Sequence, residues 1–139
     1  MRAVADTGAL YALYDADDKN FARVRKALDS LRGPIYLPSA ILGELDYLLR
    51  EWLGVDAELA LLESVRRGAF RLENLTPEDL QRCEELLRKY RDLDLGLADA
   101  SVIAIAERLG ISTILTLDER DFRAVAPVTD PFRLLPADM

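Results

Sequence analysis

The sequence predicts an α/β fold, a three-layer α/β/α sandwich built on a central parallel sheet of four to five short strands. Two observations carry this. Short apolar runs alternate along the chain with longer segments whose apolar residues recur at helical spacing, the pattern of a parallel sheet covered on both faces. The chain is 139 residues long and half hydrophobic, enough to form one globular domain over residues 1–139 without disulfide or metal staples.

The elements follow in order. "RAVADTGAL" opens with a strand over 2–5, after which Asp6-Thr7-Gly8 reads as a tight turn, with Gly8 supplying the freedom. A first helix is expected at 18–31, where Phe21, Val24, Leu28 and Leu31 share a stripe and Gly33-Pro34 stops it. "IYL" (35–37) is a brief strand. The helix expected at 40–53 carries Ile41, Leu45, Leu48 and Trp52 on one stripe, with Leu42, Leu49 and Leu53 beside it and Gly54 as the stop. A third helix covers 57–67, and "AFRLEN" is the next strand. Thr76-Pro77-Glu78-Asp79 starts another helix, with a capping hydroxyl, proline at the first position and acids in the first turn; Leu80, Cys83, Leu87 and Tyr90 form its buried stripe. Then come a helix at 99–109, a stop at Gly110, the strand "STILTL" and a last strand, "FRLL", at 132–135. No repeat, linker or low-complexity segment interrupts the pattern.

Composition excludes much chemistry. There is no histidine and one cysteine, which removes histidine-based triads, histidine general bases, histidine metal sites and any internal disulfide. Cys83 falls on an apolar stripe and reads as core. Neither a G-x-x-x-x-G-K-[ST] loop nor a G-x-G-x-x-G turn is present. Asp6 interrupts any leader-like apolar run and nowhere do 18 apolar residues run together, so the expectation is a soluble cytoplasmic protein with no membrane association. Any chemistry must come mainly from carboxylates, hydroxyls and bound ions.

Those carboxylates stand at particular places. In parallel α/β sheets, sites form outside the carboxyl ends of the strands. Asp6 and Asp118 each follow a strand, Asp99 stands at a helix start, and Glu44 lies in the first turns of the helix leaving the second strand. Each has a purely structural alternative: Asp99 as a helix cap, Asp118 with Asp121 as a turn or helix start, Asp6 as a turn residue, Glu44 as a solvated helix margin. Independent caps, however, have no reason to share one edge of the sheet. Converging carboxylates repel, and with no histidine or nearby lysine a hard divalent cation such as Mg²⁺ or Mn²⁺ is the natural counter-charge.

Asp6-Thr7-Gly8-Ala9-Leu10 after the first strand, Glu44-Leu45 in "SAILGELDYLL", "LADASVIAIAERLG" and "TILTLDERDF" together resemble the PIN-domain ribonucleases, in particular the toxins of VapBC-type toxin–antitoxin pairs. The likeness runs in order and spacing from the first strand to about Phe122. It implies a PIN-like fold and a Mg²⁺- or Mn²⁺-dependent endoribonuclease. The family's acidic quartet falls on Asp6, Glu44, Asp99 and Asp118 as catalytic and metal-binding residues. Thr116 is then a hydroxyl partner, with Thr7 and Asp121 in support. In-line hydrolysis of RNA would leave a 5′-phosphate and a 3′-hydroxyl. The resemblance also implies a homodimer and a small antitoxin partner whose tail occupies the groove. One departure stands out: the family usually has Ser or Asn after D-T, and here Gly8 removes a side-chain hydrogen bond.

The net charge of −7 opposes non-specific attraction to nucleic acid. Of the 18 basic residues only Lys19, Lys26 and Lys89 are lysines, so the positive charge is mostly arginine, the better phosphate fork. The runs Arg88, Lys89, Arg91 and Arg23, Arg25, Lys26 read as solvated helix faces. Two rivals follow from other classes. A phosphoacceptor receiver domain would want paired acids after strand one, an acceptor Asp after a middle strand and a late Lys, none of which is here. A non-catalytic metal- or partner-binding domain of the same fold would be consistent with Gly8 and the acidic surface.

Overall fold

In the computed structural model, which describes residues 1–139, the short apolar runs become β1 (Ala3–Ala5), β2 (Ile35–Pro38), β3 (Arg71–Glu73), β4 (Thr113–Leu115) and β5 (Arg133–Leu135). Between them lie α1 (Thr7–Leu13), α2 (Phe21–Ser30), α3 (Ser39–Leu53), α4 (Val55–Arg66), α5 (Pro77–Lys89), α6 (Leu97–Leu109) and α7 (Glu119–Ala124). The strands form one sheet in the order β3-β2-β1-β4-β5, and every pairing is parallel. This is the predicted α/β/α sandwich with five strands.

The strand period of two separates the layers. Ala3, Ala5, Ile35, Leu37, Leu115 and Leu135 point into one core with Leu10, Ile41, Leu45, Leu49 and Leu61. Val4, Ile114 and Leu134 point the other way, onto Cys83, Leu86, Ile103, Ile105 and Phe122. Helix α6 is buried at every position from Ala100 to Ala106, as a helix apolar on nearly all sides must be. Burial also pushes the Cys83 thiol up to about 11, so it acts as core packing.

The order of strands fixes where a site can form. From β1 the chain goes to β2 on one side, and it returns much later to β4 on the other. The switch therefore lies between the ends of β1 and β4, where the helices leaving the two strands diverge and open a crevice.

Helix α6 is held to α5 by ion pairs at its far end. Arg82 donates from Nε and Nη2 to the two Glu107 carboxylate oxygens at 2.7 and 3.0 Å, and Val128 N–H donates to the same carboxylate at 2.8 Å. Arg108 Nε donates to Asp79 at 3.0 Å. Asp79 also completes a capping box with Thr76. Burial works against its charge, but Arg108 and the Thr76 backbone outweigh it and hold the carboxyl below its ordinary value.

Several expectations are corrected. Residues 7–13 form a helix where a turn was expected: Asp6 caps it by accepting from Thr7 N–H at 2.8 Å, and Ala9, Leu10 and Ala12 bury its inner face. Helix α2 begins at Phe21 rather than 18, and α6 begins at Leu97 rather than 99. Of the two alternatives for Asp118 and Asp121, the helix start is the one formed, as α7. Leu80 is exposed and Leu86 takes its place in the core, because Asp79 and Arg108 set the rotation of α5. On α3 the buried line is Ile41, Leu45 and Leu49, while Trp52 is 71% exposed.

The Asp79–Arg108 contact yields a stability test. Asp79→Asn retains a capping acceptor but removes the charge opposite Arg108, and we expect a loss of about 2 kcal/mol, reflecting a largely buried acid with a partly solvated partner. Urea unfolding should give a lower midpoint at unchanged slope; an unchanged midpoint would mean the pair contributes nothing.

Candidate active site

Asp6 is the first residue beyond β1. Its N–H still donates to Leu115 O at 2.9 Å, continuing the ladder with β4, so the side chain is delivered to the end of the sheet by the strand itself. The carboxylate is buried and accepts two hydrogen bonds, from Thr7 N–H at 2.8 Å and from the Thr116 hydroxyl at 3.0 Å. The same hydroxyl accepts from Asp118 N–H at 3.0 Å. One buried Thr therefore joins the ends of β1 and β4 and sets the backbone that carries Asp118.

Asp118 caps α7, with Oδ1 facing Asp121 N–H at 3.5 Å. Asp99 stands one turn into α6, where its Oδ2 faces Gly96 N–H at 3.4 Å. Gly96 has no side chain to return a bond, so only half a capping box exists. Both capping contacts are long, and a cap alone explains neither carboxylate well. Glu44 reaches the site from an exposed position in α3.

These residues share a cleft of about 500 Å³ lined by Asp6, Thr7, Gly8, Glu44, Asp99 and Asp118, with Ala98 and Leu117 as its apolar wall. The sequence-predicted acids thus meet at one edge of the sheet. Within them the tightest grouping is Asp99, Asp118 and Asp121, which can present carboxylate oxygens all within 4.8 Å of one another. Asp121, expected only as a support of Asp118, is therefore a full neighbour of Asp99 as well.

Electrostatics couple the members of the group through mutual repulsion. Burial raises Asp6, its two hydrogen bonds oppose this, and Asp118 and Glu44 push it further up. Asp99 rises to about 6, through burial first and then the charges of Asp6, Asp118 and Asp121. Asp121 is raised by burial, by Asp118 and by the more distant Asp94. Asp94 went unnoticed in the sequence, where its position shortly before the Gly96 helix start was the available signal.

The donor set suits a hard divalent cation. It consists of carboxylate oxygens brought to one cleft, and beside Asp6 the buried Thr7 Oγ1 has no hydrogen-bond partner. Mutual repulsion and an unmet hydroxyl are both relieved by an oxygen-liganded ion and its waters.

By fold and site, this is an α/β protein with an all-carboxylate cluster at the switch point of its sheet. It matches the PIN domain over residues 3–127, and the chain belongs to that family. It is 38% identical over 125 residues to Ribonuclease VapC26 of Mycobacterium tuberculosis, an alignment covering 90% of this chain and 93% of that protein. In three dimensions it resembles the crystal structure of M. tuberculosis VapC20, described as a Sarcin-Ricin loop cleaving toxin (TM-score 0.77, 22% identity, 85% of this chain and 91% of that one). It also resembles a chain of a toxin-antitoxin complex from Klebsiella pneumoniae (TM-score 0.69, 19% identity, 94% and 98%).

Asp99 provides a pH test. Its carboxyl titrates near 3.8 in the unfolded chain and about 6 in the folded one. Between these values the folded protein holds a proton that the unfolded chain has released, so stability falls as pH rises and the full penalty is present above about pH 6. In chelator, Asp99→Asn should therefore be the more stable protein at neutral pH, by about 1–2 kcal/mol after discounting for the side chain's solvent-facing side. The advantage should vanish near pH 4. Urea titrations at both pH values check this; a gap independent of pH would mean that Asp99 ionises normally.

Proposed function

We propose that this chain is an endoribonuclease dependent on Mg²⁺ or Mn²⁺, a single nuclease domain over residues 1–139 acting as the toxin of a type II toxin–antitoxin system in the cytoplasm. The observation that carries the reading is the convergence of Asp6, Glu44, Asp99 and Asp118, from separate segments of the chain, on one cleft at the switch point of the sheet. The similarity to a ribonuclease along nine-tenths of the chain supports the substrate class. No helix is long and apolar enough to cross a membrane.

Asp6, Glu44, Asp99 and Asp118 would hold the ion, with Asp121 beside the last two. When bound, such an ion lowers the pKa of a coordinated water and offsets charge on a phosphoryl group. The chain's own residues do the rest. Thr116 and the Thr7 N–H aim the Asp6 carboxylate and oppose the effect of its burial on the charge. The unpartnered Thr7 hydroxyl is a donor for a phosphate oxygen. Leu117 and Ala98 form the apolar part of the cleft's lining. Hydrolysis in line would leave a 5′-phosphate and a 3′-hydroxyl.

Purified protein should cut RNA with Mg²⁺ or Mn²⁺ and stop in chelator. Asp6→Asn, Glu44→Gln, Asp99→Asn and Asp118→Asn preserve shape while removing charge; each should fold and lose more than about 100-fold in rate, beyond what outer-shell partners of a metal typically cost. Asp121→Asn should lose less than Asp118→Asn. Full activity in folded Asp99→Asn would overturn the assignment, and ion binding without cleavage would return the chain to the non-catalytic alternative.

Assembly follows from the surface. Val55, Leu59 and Leu62 lie exposed along one face of α4, while Leu61 between them is in the core. An apolar stripe of this kind marks an interface, and we assign it to a two-fold homodimer. The structural neighbour solved as a toxin-antitoxin complex supports a small antitoxin as the second partner. Light scattering at micromolar concentration should give twice the chain mass, and Leu59→Glu with Leu62→Glu should return it to the mass of a single chain.

A further inference from the structure

We propose that the apolar pocket adjoining the acidic cleft is a nucleobase subsite, in which one base of the RNA stacks on Trp52 and Tyr11 and donates a hydrogen bond to Asp18. This deepens the nuclease reading and rests on it for the identity of the ligand.

The pocket has a volume of about 420 Å³ and is lined by Gly8, Tyr11, Asp18, Leu48, Trp52 and Leu117. Gly8 and Leu117 also line the acidic cleft, so the two spaces adjoin. A chain whose phosphate lies among the carboxylates has a neighbouring base within reach of this second space. Trp52 is the sole tryptophan and remains 71% exposed on a helix whose core line is already complete without it. Its large apolar face therefore contributes little to folding and is available to a ligand.

The chemistry of the lining selects the occupant. Two aromatic side chains and two leucines offer flat apolar walls, and Asp18 adds one acceptor at the edge. Its Oδ1 is engaged by Asn20 N–H at 2.7 Å and its other oxygen is free. Such a set repels phosphate and accepts a planar ring with N–H groups on its rim. Bases with an exocyclic amine fit better than uracil, whose single N–H is flanked by two carbonyls that a carboxylate repels.

Two further observations agree. With a net charge of −7, attraction to the phosphate backbone is weak, so substrate must be held by contacts that charge does not oppose, and stacking on aromatic side chains is such a contact. At Gly8 an added Cβ would meet nothing within 4 Å. The bare backbone leaves open the rim between cleft and pocket, where a Ser or Asn side chain would stand.

Because Trp52 is the only tryptophan, its emission reports directly on the pocket without any cleavage. Wild-type protein is titrated with each of the four 5′-mononucleotides and with ribose 5-phosphate as the base-free control. We expect saturable quenching by the nucleotides, uridine 5′-monophosphate weakest, and none by ribose 5-phosphate; Asp18→Asn should erase the ranking. In RNA cleavage, Trp52→Leu should raise KM about 5- to 150-fold with kcat nearly unchanged. Unaltered emission with every nucleotide at millimolar concentration overturns the proposal, as does quenching by a synthetic amphipathic helical peptide but by no nucleotide, which would assign the pocket to a protein partner. Nucleotide quenching in a protein that cuts no RNA would uphold the subsite and refute only the nuclease reading.

Discussion

The hydrogen bond from the buried Thr116 hydroxyl to Asp6, 3.0 Å long, organises the site around it. Strands β1 and β4 are only three residues each, and beyond their last ladder bond nothing in the backbone keeps their ends together. Thr116 does so with one side chain, donating to Asp6 and accepting from Asp118 N–H. An isolated carboxylate buried to this degree would favour its protonated form. Two donors to Asp6 oppose that tendency, although burial and the charges of Asp118 and Glu44 still leave its carboxyl above the ordinary value. Because the Thr also holds the Asp118 backbone, the two acids that follow the central strands cannot move independently of each other.

The remaining architecture counterbalances the repulsion gathered there. Helix α6 carries Asp99 in its first turn, where the positive end of the helix dipole favours a carboxylate. Its other end is fastened by Arg82–Glu107 and Arg108–Asp79, and its middle is buried from Ala100 to Ala106. A helix so fixed cannot slide away to separate Asp99 from Asp6, Asp118 and Asp121. Asp99 rises to about 6 first because it is buried there and then because Asp6, Asp118 and Asp121 are near: both the burial and the proximity are imposed by packing on the far side of the helix.

How far this could be read from the sequence depended on whether a residue's place followed from local pattern. The apolar runs before Asp6 and Asp118 identified strands, and the rule about strand ends then gave the edge on which both acids stand. Glu44 and Asp99 followed from helix starts at that same edge. The convergence of Asp121 with Asp99 did not follow, because it depends on where the first turn of α7 stands relative to the start of α6, two segments distant in sequence. Helix α1 was hidden by Gly8, which permits a turn but here lies in a helix whose start is stabilised by Asp6 and whose inner face is buried. Trp52 and Leu80 were misplaced for a different reason. On α3 and α5 two overlapping stripes satisfy helical periodicity, and the choice between them was made by tertiary partners, including an Arg108 some 30 residues away in sequence from the Asp79 that it holds.

The acidity of the whole chain bears on how a nucleic acid could be held at such a site. Proteins that rely on phosphate contacts draw substrate in through long-range attraction and release of counterions, and a net charge of −7 works against both. An ion among the carboxylates reverses the sign of the field only locally, over a few ångströms. For a nucleic acid held as proposed, affinity would then come from short-range contacts beside the ion, and the aromatic pocket that shares Gly8 and Leu117 with the cleft is positioned to supply them. In such an arrangement the acidic surface is itself a selective device. On the proposed nuclease reading an arbitrary stretch of backbone would be repelled, and productive binding would require a suitable base in the pocket while its neighbouring phosphate met the ion, so that discrimination among RNAs would be built into the same contacts that permit binding at all.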